Sequence, residues 1–196
     1  MKAAMKYFAS AVALAASVAA GGAYALHSVR TDASVGSFIH NGNWYTDKHF
    51  GAAEASARVR AYVAIVGLLA LSKKETVYYM LHTAEGGETL QSDGVYEITG
   101  KGLPARWWSI TLYDDDHFLT HNAYGRYSVR NSDLQRHVNG SYRITLARDP
   151  QDGDWIPMGE GKDMTLILRM YNPEPSIYDE MTSIELPVVR KIGGAK

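Results

Sequence analysis

The chain has 196 residues, of which 46% are hydrophobic and 21% charged, the composition of an ordinary folded protein. It contains no cysteine, so disulfides, iron–sulfur clusters, thiolate zinc sites and cysteine nucleophiles are excluded. The formal net charge is −1 and Lys and Arg form no run or stripe, which argues against nucleic-acid binding. The length suits one domain with a targeting segment.

Residues 1–26 predict a segment that enters a membrane. Lys2 and Lys6 precede an uncharged stretch from Tyr7 to Leu26, which is just long enough to span a bilayer as a helix. The stretch is either a signal peptide, with an A-x-A-like cleavage site at Ala23–Ala25, or a single transmembrane anchor. In both cases the lysines stay in the cytoplasm and the body is exported. The expected location is the cell envelope, at the periplasmic face of the inner membrane or exported, with residues 7–26 contacting the membrane if they are not cleaved.

The next part of the chain predicts a linker and then a helix. Residues 27–50 are rich in Ser, Asp, Asn and Gly and are typical of an extended, irregular linker. Glu54–Leu71 predicts a helix, because apolar residues recur there at helical spacing. These residues are Val59, Tyr62, Val63 and Val66.

From Thr76 onward the chain predicts β-strands separated by turns. The candidates are Thr76–Thr83, Val95–Thr99, Trp107–Tyr113, Arg126–Val129, Tyr142–Ala147, Met164–Tyr171 and Ile184–Val189. Turn signals such as Asp93-Gly94 and Asn139-Gly140 lie between them, which favours a sandwich or barrel over a parallel sheet. Trp155-Ile156-Pro157 predicts a loop that closes one end. We place the β-sandwich domain at residues 51–190 and a tail at residues 191–196.

Several of these segments also identify a family. The stretches "VGLLALSKKETVYYM", "LPARWWSITLYD", "GRYSV", "NGSYRITL", "DWIPM" and "LILRMYNP" occur in an order that resembles the domain-of-unknown-function 1214 family, over roughly Gly42 to Pro187. That family forms the C-terminal half of larger proteins with a domain of unknown function 1254, and also short proteins with one N-terminal hydrophobic segment, which this chain resembles. The resemblance implies a jelly-roll β-sandwich with little helix and no established reaction. The predicted fold is therefore mainly β, a jelly-roll-like antiparallel β-sandwich with one packed helix and an N-terminal hydrophobic helix.

Two predicted strands each combine an apolar face with a polar, aromatic one. In Trp107–Tyr113, alternation separates the apolar Trp108, Ile110 and Leu112 from a second set of Trp, Ser, Thr and Tyr side chains, and Met164–Tyr171 divides in the same way. Aromatic rings, hydroxyls and guanidinium groups together suit a sugar or another small polar ligand. The alternative is a solvated sheet face in which the arginine pairs with a neighbouring acid. The candidate ligand-binding residues are Trp107, Ser109, Tyr113, Arg126, Arg169 and Tyr171.

Asp114, Asp116, His117 and His121 are the residue types that bind hard metal ions, but their spacing favours a turn. On a strand, the two histidines would lie about 13 Å apart, too far to bind one ion. The aspartates are typical of the tip of a hairpin that follows Trp107–Tyr113. We therefore predict no metal site and no cofactor.

Three functions remain open. The first is a non-catalytic module of the cell envelope that binds a small polar molecule or another envelope protein. The second is a hydrolase or isomerase that uses the face with Trp107, Ser109, Arg126 and Arg169. Ser109 lacks the G-x-S-x-G context of an activated serine, so no catalytic residue is assigned and an enzyme is the less favoured hypothesis. The third is an accessory subunit of a membrane protein complex, held by the N-terminal helix.

Overall fold

The computed structural model describes residues 2–31, 38–66 and 70–194, and the chain divides into two compact units, Met1–Val35 and Gly36–Lys196. The first unit is helix α1, Lys2–Thr31. Within it, Met5–Val29 is long and apolar enough to cross a membrane, a property that a signal sequence shares. The predicted N-terminal hydrophobic helix is thus present, and either role fits its length and composition.

The second unit consists mainly of strands in two sheets. The strands are β1 (Ile39–Asn41), β2 (Trp44–Thr46), β3 (Thr76–Leu81), β4 (Gly94–Gly100), β5 (Ala105–Tyr113), β6 (Ser128–Arg130), β7 (Tyr142–Ala147), β8 (Asp154–Pro157), β9 (Thr165–Pro173) and β10 (Val188–Gly194). Helix α2 covers Ala57–Ile65, and a short 3₁₀ helix covers Pro175–Tyr178. One sheet has the order β1-β2-β3-β9-β5-β6 and the other β10-β4-β7-β8. The pairs are antiparallel except for β7 with β8, which are parallel.

The core lies between the two sheets. Trp108 and Leu168 from the six-stranded sheet belong to one apolar cluster with Ile98 and Ile144 from the four-stranded sheet. Trp108 is 1% exposed, and its ring centroid lies 5.1 Å from that of Tyr142. Alternation along β5 therefore sends one set of side chains into the core, as the sequence predicts. The predicted mainly β, two-sheet fold is confirmed.

A second apolar layer covers part of the opposite side of the six-stranded sheet. Side chains from α2 and its flanking segments pack there on β3 and β9, and the cluster comprises Phe50, Ala55, Val59, Val66, Tyr78, Met80 and Ile167. Helix α2 begins after Ser56, whose Oγ accepts a hydrogen bond from the backbone N–H of Val59 at 3.2 Å. The helix is shorter than the predicted Glu54–Leu71, part of which lies outside the described residues. The backbone N–H of Leu71 donates to the hydroxyl of Tyr78, so the end of this segment is attached to β3 rather than continuing a helix.

The structure also contains strands that the sequence does not suggest. Strands β1 and β2 lie within the predicted linker, and Trp44 of β2 is buried and donates a 2.6 Å hydrogen bond to the carbonyl of Pro187. The segment around Trp155, predicted as a loop, is strand β8 beside β7. The last strand was predicted at Ile184–Val189, but β10 covers Val188–Gly194 and so runs into the predicted tail. The strands that were not predicted are short or irregular in sequence, and pairing within the sheets stabilises them.

Candidate functional site

The predicted polar-aromatic face exists on the side of the six-stranded sheet that points away from the core, which we call the outer face. Trp107 pairs with Tyr171 across β5 and β9, and Ser109 pairs with Arg169. Arg169 pairs with Ser109 of β5 on one side and with Tyr78 of β3 on the other, so these three residues form one row across the sheet. The structure therefore brings together five of the predicted ligand-binding residues on the neighbouring strands β5 and β9. We call Trp107, Ser109, Tyr113, Arg169 and Tyr171 the Arg169 patch.

The polar side chains of the Arg169 patch are more deeply buried than its aromatic rings. The short hydroxyl side chain of Ser109 is buried, and so is the neighbouring Thr111. The large rings of Trp107, Tyr113 and Tyr171 are half-buried. The patch thus sets buried polar side chains beside three half-buried aromatic rings, which we call the aromatic rim.

Arg169 is 9% exposed and makes few polar contacts for a buried cation. Its Nη2 donates a 3.0 Å hydrogen bond to the hydroxyl of Tyr113. Its guanidinium carbon lies 5.4 Å from the ring centroid of Tyr113 and 6.0 Å from that of Tyr78, within the range of cation–π contacts. Within residues 2–31, 38–66 and 70–194, no carboxylate forms an ion pair with this guanidinium. The alternative of an arginine paired with a neighbouring acid is not found there.

The ring of Tyr78 is neutral, and two of the other rings near Arg169 contact each other. Burial is the main reason why the pKa of Tyr78 is raised, so this phenol stays protonated at physiological pH. The rings of Trp107 and Tyr171 meet edge to face with centroids 5.0 Å apart. The aromatic rim is therefore held in place by contacts between its own members.

Arg126 lies two residues before edge strand β6, which pairs with β5. The side chain of Asn122 fixes its backbone, accepting from the N–H of Arg126 at 3.3 Å and donating to its carbonyl at 3.1 Å. The hydroxyl of Ser132 and the charge of Arg130, with a weaker contribution from Arg126, lower the pKa of Asp133. The positive charge of Arg126 thus acts at this edge of the sheet.

The segment after β5 forms a turn. The carboxylate of Asp114 accepts hydrogen bonds from the backbone N–H groups of Asp116 and Phe118, at 3.1 and 2.8 Å. His117 has a φ of 64°, the left-handed conformation that turns require. In the parts of the chain that the structure describes, no three His, Asp or Glu residues are placed to hold a metal ion. The segment after β5 is thus a turn at the tip of a hairpin, as the sequence predicts.

A hydrogen-bonded histidine was not predicted. Nε2 of His82 is hydrogen-bonded to the hydroxyl of Tyr45, and Nδ1 to that of Thr165 at 2.8 Å. Burial, and then the nearby His117, lower the pKa of His82, so the ring is neutral. Tyr45 and Thr165 lie 37 and 83 residues away in the sequence, so no local pattern could have indicated this network.

Fold and site together define a two-sheet β protein with an apolar N-terminal helix and a cationic, aromatic patch on one sheet. The chain belongs to the family described as "Protein of unknown function (DUF1214)", whose model matches residues 75–175, more than half of the chain. The match includes β3, β5 and β9 and hence the Arg169 patch.

Two bacterial proteins of known structure match part of this chain, and the first has a similar fold. The VPA0106 protein from Vibrio parahaemolyticus is 20% identical, with a TM-score of 0.59 over 71% of this chain and 36% of that one. An uncharacterized protein from Burkholderia cenocepacia is 14% identical, with a TM-score of 0.43 over 62% of this chain and 30% of that one. The chain thus spans about a third of the length of these structural relatives. No curated protein matches it in sequence.

Proposed function

We propose that the protein is a non-catalytic binding module of the cell envelope, and that the Arg169 patch binds a small anionic ligand with an aromatic or other flat apolar part. The observation that carries this proposal is a buried guanidinium without a carboxylate partner among the described residues. Helix α1 supports the envelope location, because its apolar stretch follows Lys2 and Lys6 and can direct export or anchor the body.

The chemistry of arginine determines the class of ligand. A buried charge is costly unless it is paired, and only one of the five N–H donors of Arg169 has a hydrogen-bond acceptor among the described residues. A carboxylate or phosphate group offers two oxygens in the planar geometry that a guanidinium matches. The half-buried rings of Trp107 and Tyr171 would cover the apolar part of such a ligand, and the hydroxyl of Ser109 would fix its orientation.

Binding is favoured over hydrolysis or isomerisation on this face. A serine nucleophile needs a base within hydrogen-bond reach. The cross-strand neighbours of Ser109 are Arg169 and Arg130, and both are cations that cannot accept a proton. Both ring nitrogens of His82 are already hydrogen-bonded to Tyr45 and Thr165.

The test is calorimetric titration of the full chain, in a nonionic detergent, with phenyl phosphate, phenylacetate and benzyl alcohol. We expect the two anions to bind with Kd values below about 1 mM and the neutral alcohol not to bind. Arg169→Met keeps an unbranched side chain without the guanidinium and its charge, and should weaken the binding of both anions at least tenfold.

Arg130→Met is the matched control. Arg130 is exposed, lies opposite Ser109 on the neighbouring strand and pairs with Asp133, so its loss should leave the affinity within twofold of wild type. The proposal is wrong if neither anion binds at millimolar concentration, or if the two arginine variants lose affinity equally.

A further inference from the structure

A second concave surface is formed by connections between strands, and it uses none of the residues of the Arg169 patch. It has a volume of about 660 Å³ and lies among the β5–β6, β7–β8 and β8–β9 connections. A smaller groove of about 380 Å³ adjoins it and shares Arg148 and Glu160. We call the two together the loop groove. Their volumes lie in the range of sites that take small organic ligands.

The walls of the loop groove are braced by hydrogen bonds and close packing. Within the β5–β6 connection, the amide of Asn122 donates to the carbonyl of Thr120 and accepts from the backbone N–H of Tyr124, each at 3.1 Å. The β8–β9 connection packs directly on this loop at Gly159, where a Cβ would overlap the carbonyl oxygen of His121. The groove is therefore preformed, which lowers the entropy cost of binding.

Tyr124 supplies an exposed aromatic surface in the loop groove. It is 53% exposed, and Trp155 holds its ring by an edge contact with centroids 4.8 Å apart. Trp155 is itself buried, and its Nε1 donates a 2.9 Å hydrogen bond to the carbonyl of Ala147. A ring that is exposed and yet held in one orientation can stack on a flat apolar ligand surface without losing much freedom.

The remaining side chains limit the ligand class. Four acids, Asp93, Asp114, Asp149 and Glu160, outnumber the cations Arg148 and Lys162 in the lining, so the loop groove disfavours anions. Among the described residues, these carboxylates do not converge on a metal ion. Carboxylates accept and guanidinium donates several hydrogen bonds, so the polar groups suit a ligand with many hydroxyls.

We propose that the loop groove binds a short chain of neutral sugars. The apolar face of one sugar ring stacks on Tyr124, and its hydroxyls donate to Asp149 and Glu160 and accept from Arg148. The loop groove shares no residue with the Arg169 patch, and its proposed ligand is neutral rather than anionic.

The test is calorimetric titration of the full chain with cellohexaose, a hexamer of N-acetylglucosamine and a hexamer of galacturonic acid. The detergent is a polyoxyethylene ether, because the headgroup of a glucoside or maltoside would compete. We expect at least one neutral hexamer to bind with a Kd below about 1 mM, and the galacturonate hexamer to bind at least tenfold more weakly.

Two aromatic variants separate the proposed stacking from a general loss of surface. Tyr124→Ala should weaken the binding of the neutral sugar at least tenfold. Phe118→Ala should leave it unchanged, since Phe118 lies on the same β5–β6 connection and is 71% exposed but does not line the groove. Thermal melting of both variants confirms that they are folded, and Arg169→Met should bind the sugar like wild type.

The proposal is wrong if no neutral hexamer binds, if the galacturonate hexamer binds more tightly than the neutral ones, or if folded Tyr124→Ala binds sugar as well as Phe118→Ala. Failure of anion binding at the Arg169 patch would leave these results unaffected.

Discussion

Adjacent tryptophans on β5 provide a direct test of the sheet register. Trp108 is 1% exposed in the core, so Trp108→Ala should lower the free energy of unfolding by about 3–5 kcal/mol, the usual cost of deleting a large buried aromatic side chain. Trp107 is only half-buried, and its main loss is the edge contact with Tyr171. Half the transfer free energy of a large side chain plus one aromatic pair amounts to about 2 kcal/mol for Trp107→Ala.

Urea denaturation of the full chain in detergent, followed by far-ultraviolet circular dichroism, measures both losses. For a slope of about 2 kcal/mol per molar urea, the midpoint should fall by about 2 M for Trp108→Ala and about 1 M for Trp107→Ala. Phenyl phosphate should bind Trp107→Ala more weakly and folded Trp108→Ala normally. A larger loss of stability for Trp107→Ala would refute the register, because Trp107 and Arg169 would then point into the core.

Three further predictions concern pH, packing and orientation. Burial lowers the pKa of His82 in the folded protein. As the pH falls below about 6.5, His82 is therefore protonated in the unfolded chain before it is protonated in the folded one. The free energy of unfolding should thus be smaller at pH 5.5 than at pH 7.5. His82→Gln should reduce this difference in urea melts, and an unchanged difference would contradict the assignment. Gly159→Ala should lower the free energy of unfolding by about 1–3 kcal/mol, because the added Cβ would overlap the carbonyl oxygen of His121. In the control Gly102→Ala the added Cβ meets no atom within 4 Å, so the free energy of unfolding should change by less than about 0.5 kcal/mol. Equal melting temperatures for the two variants would contradict this prediction. Protease added to intact spheroplasts should digest the body of the protein, and protection until lysis would show that the body is cytoplasmic.

The longer strands were predictable because their sequences carry the period-two pattern of a half-buried strand. Strands β5 and β9 follow it in Trp107–Tyr113 and Met164–Tyr171, and this pattern divided Trp108 from Trp107 and placed Arg169 on the outer face. Strand β3 was predicted although both of its faces are buried, since its β-branched and aromatic residues favour a strand.

The features that sequence reasoning missed depend on contacts between distant parts of the chain. Strands β1 and β2 have three residues each, too few for a pattern, and their place in the sheet follows from pairing with each other and with β3. The network around His82 joins residues from three strands or their ends, and the loop groove joins several connections. Arg126 was predicted as the first residue of a strand, but β6 begins two residues later, at Ser128, because the preceding backbone is held by the side chain of Asn122.

The strand order also determines when the protein can fold. Strand β9 lies between β3 and β5, so Thr76 pairs with Tyr171 and cannot do so until most of the chain has been made. The last strand, β10, completes the other sheet by pairing Val188 with Thr99. Pairings between such distant residues make folding slow. Until Thr165–Pro173 is available, the facing edges of β3 and β5 remain open to pairing with other chains, so a product truncated before β9 should aggregate rather than form a smaller sandwich.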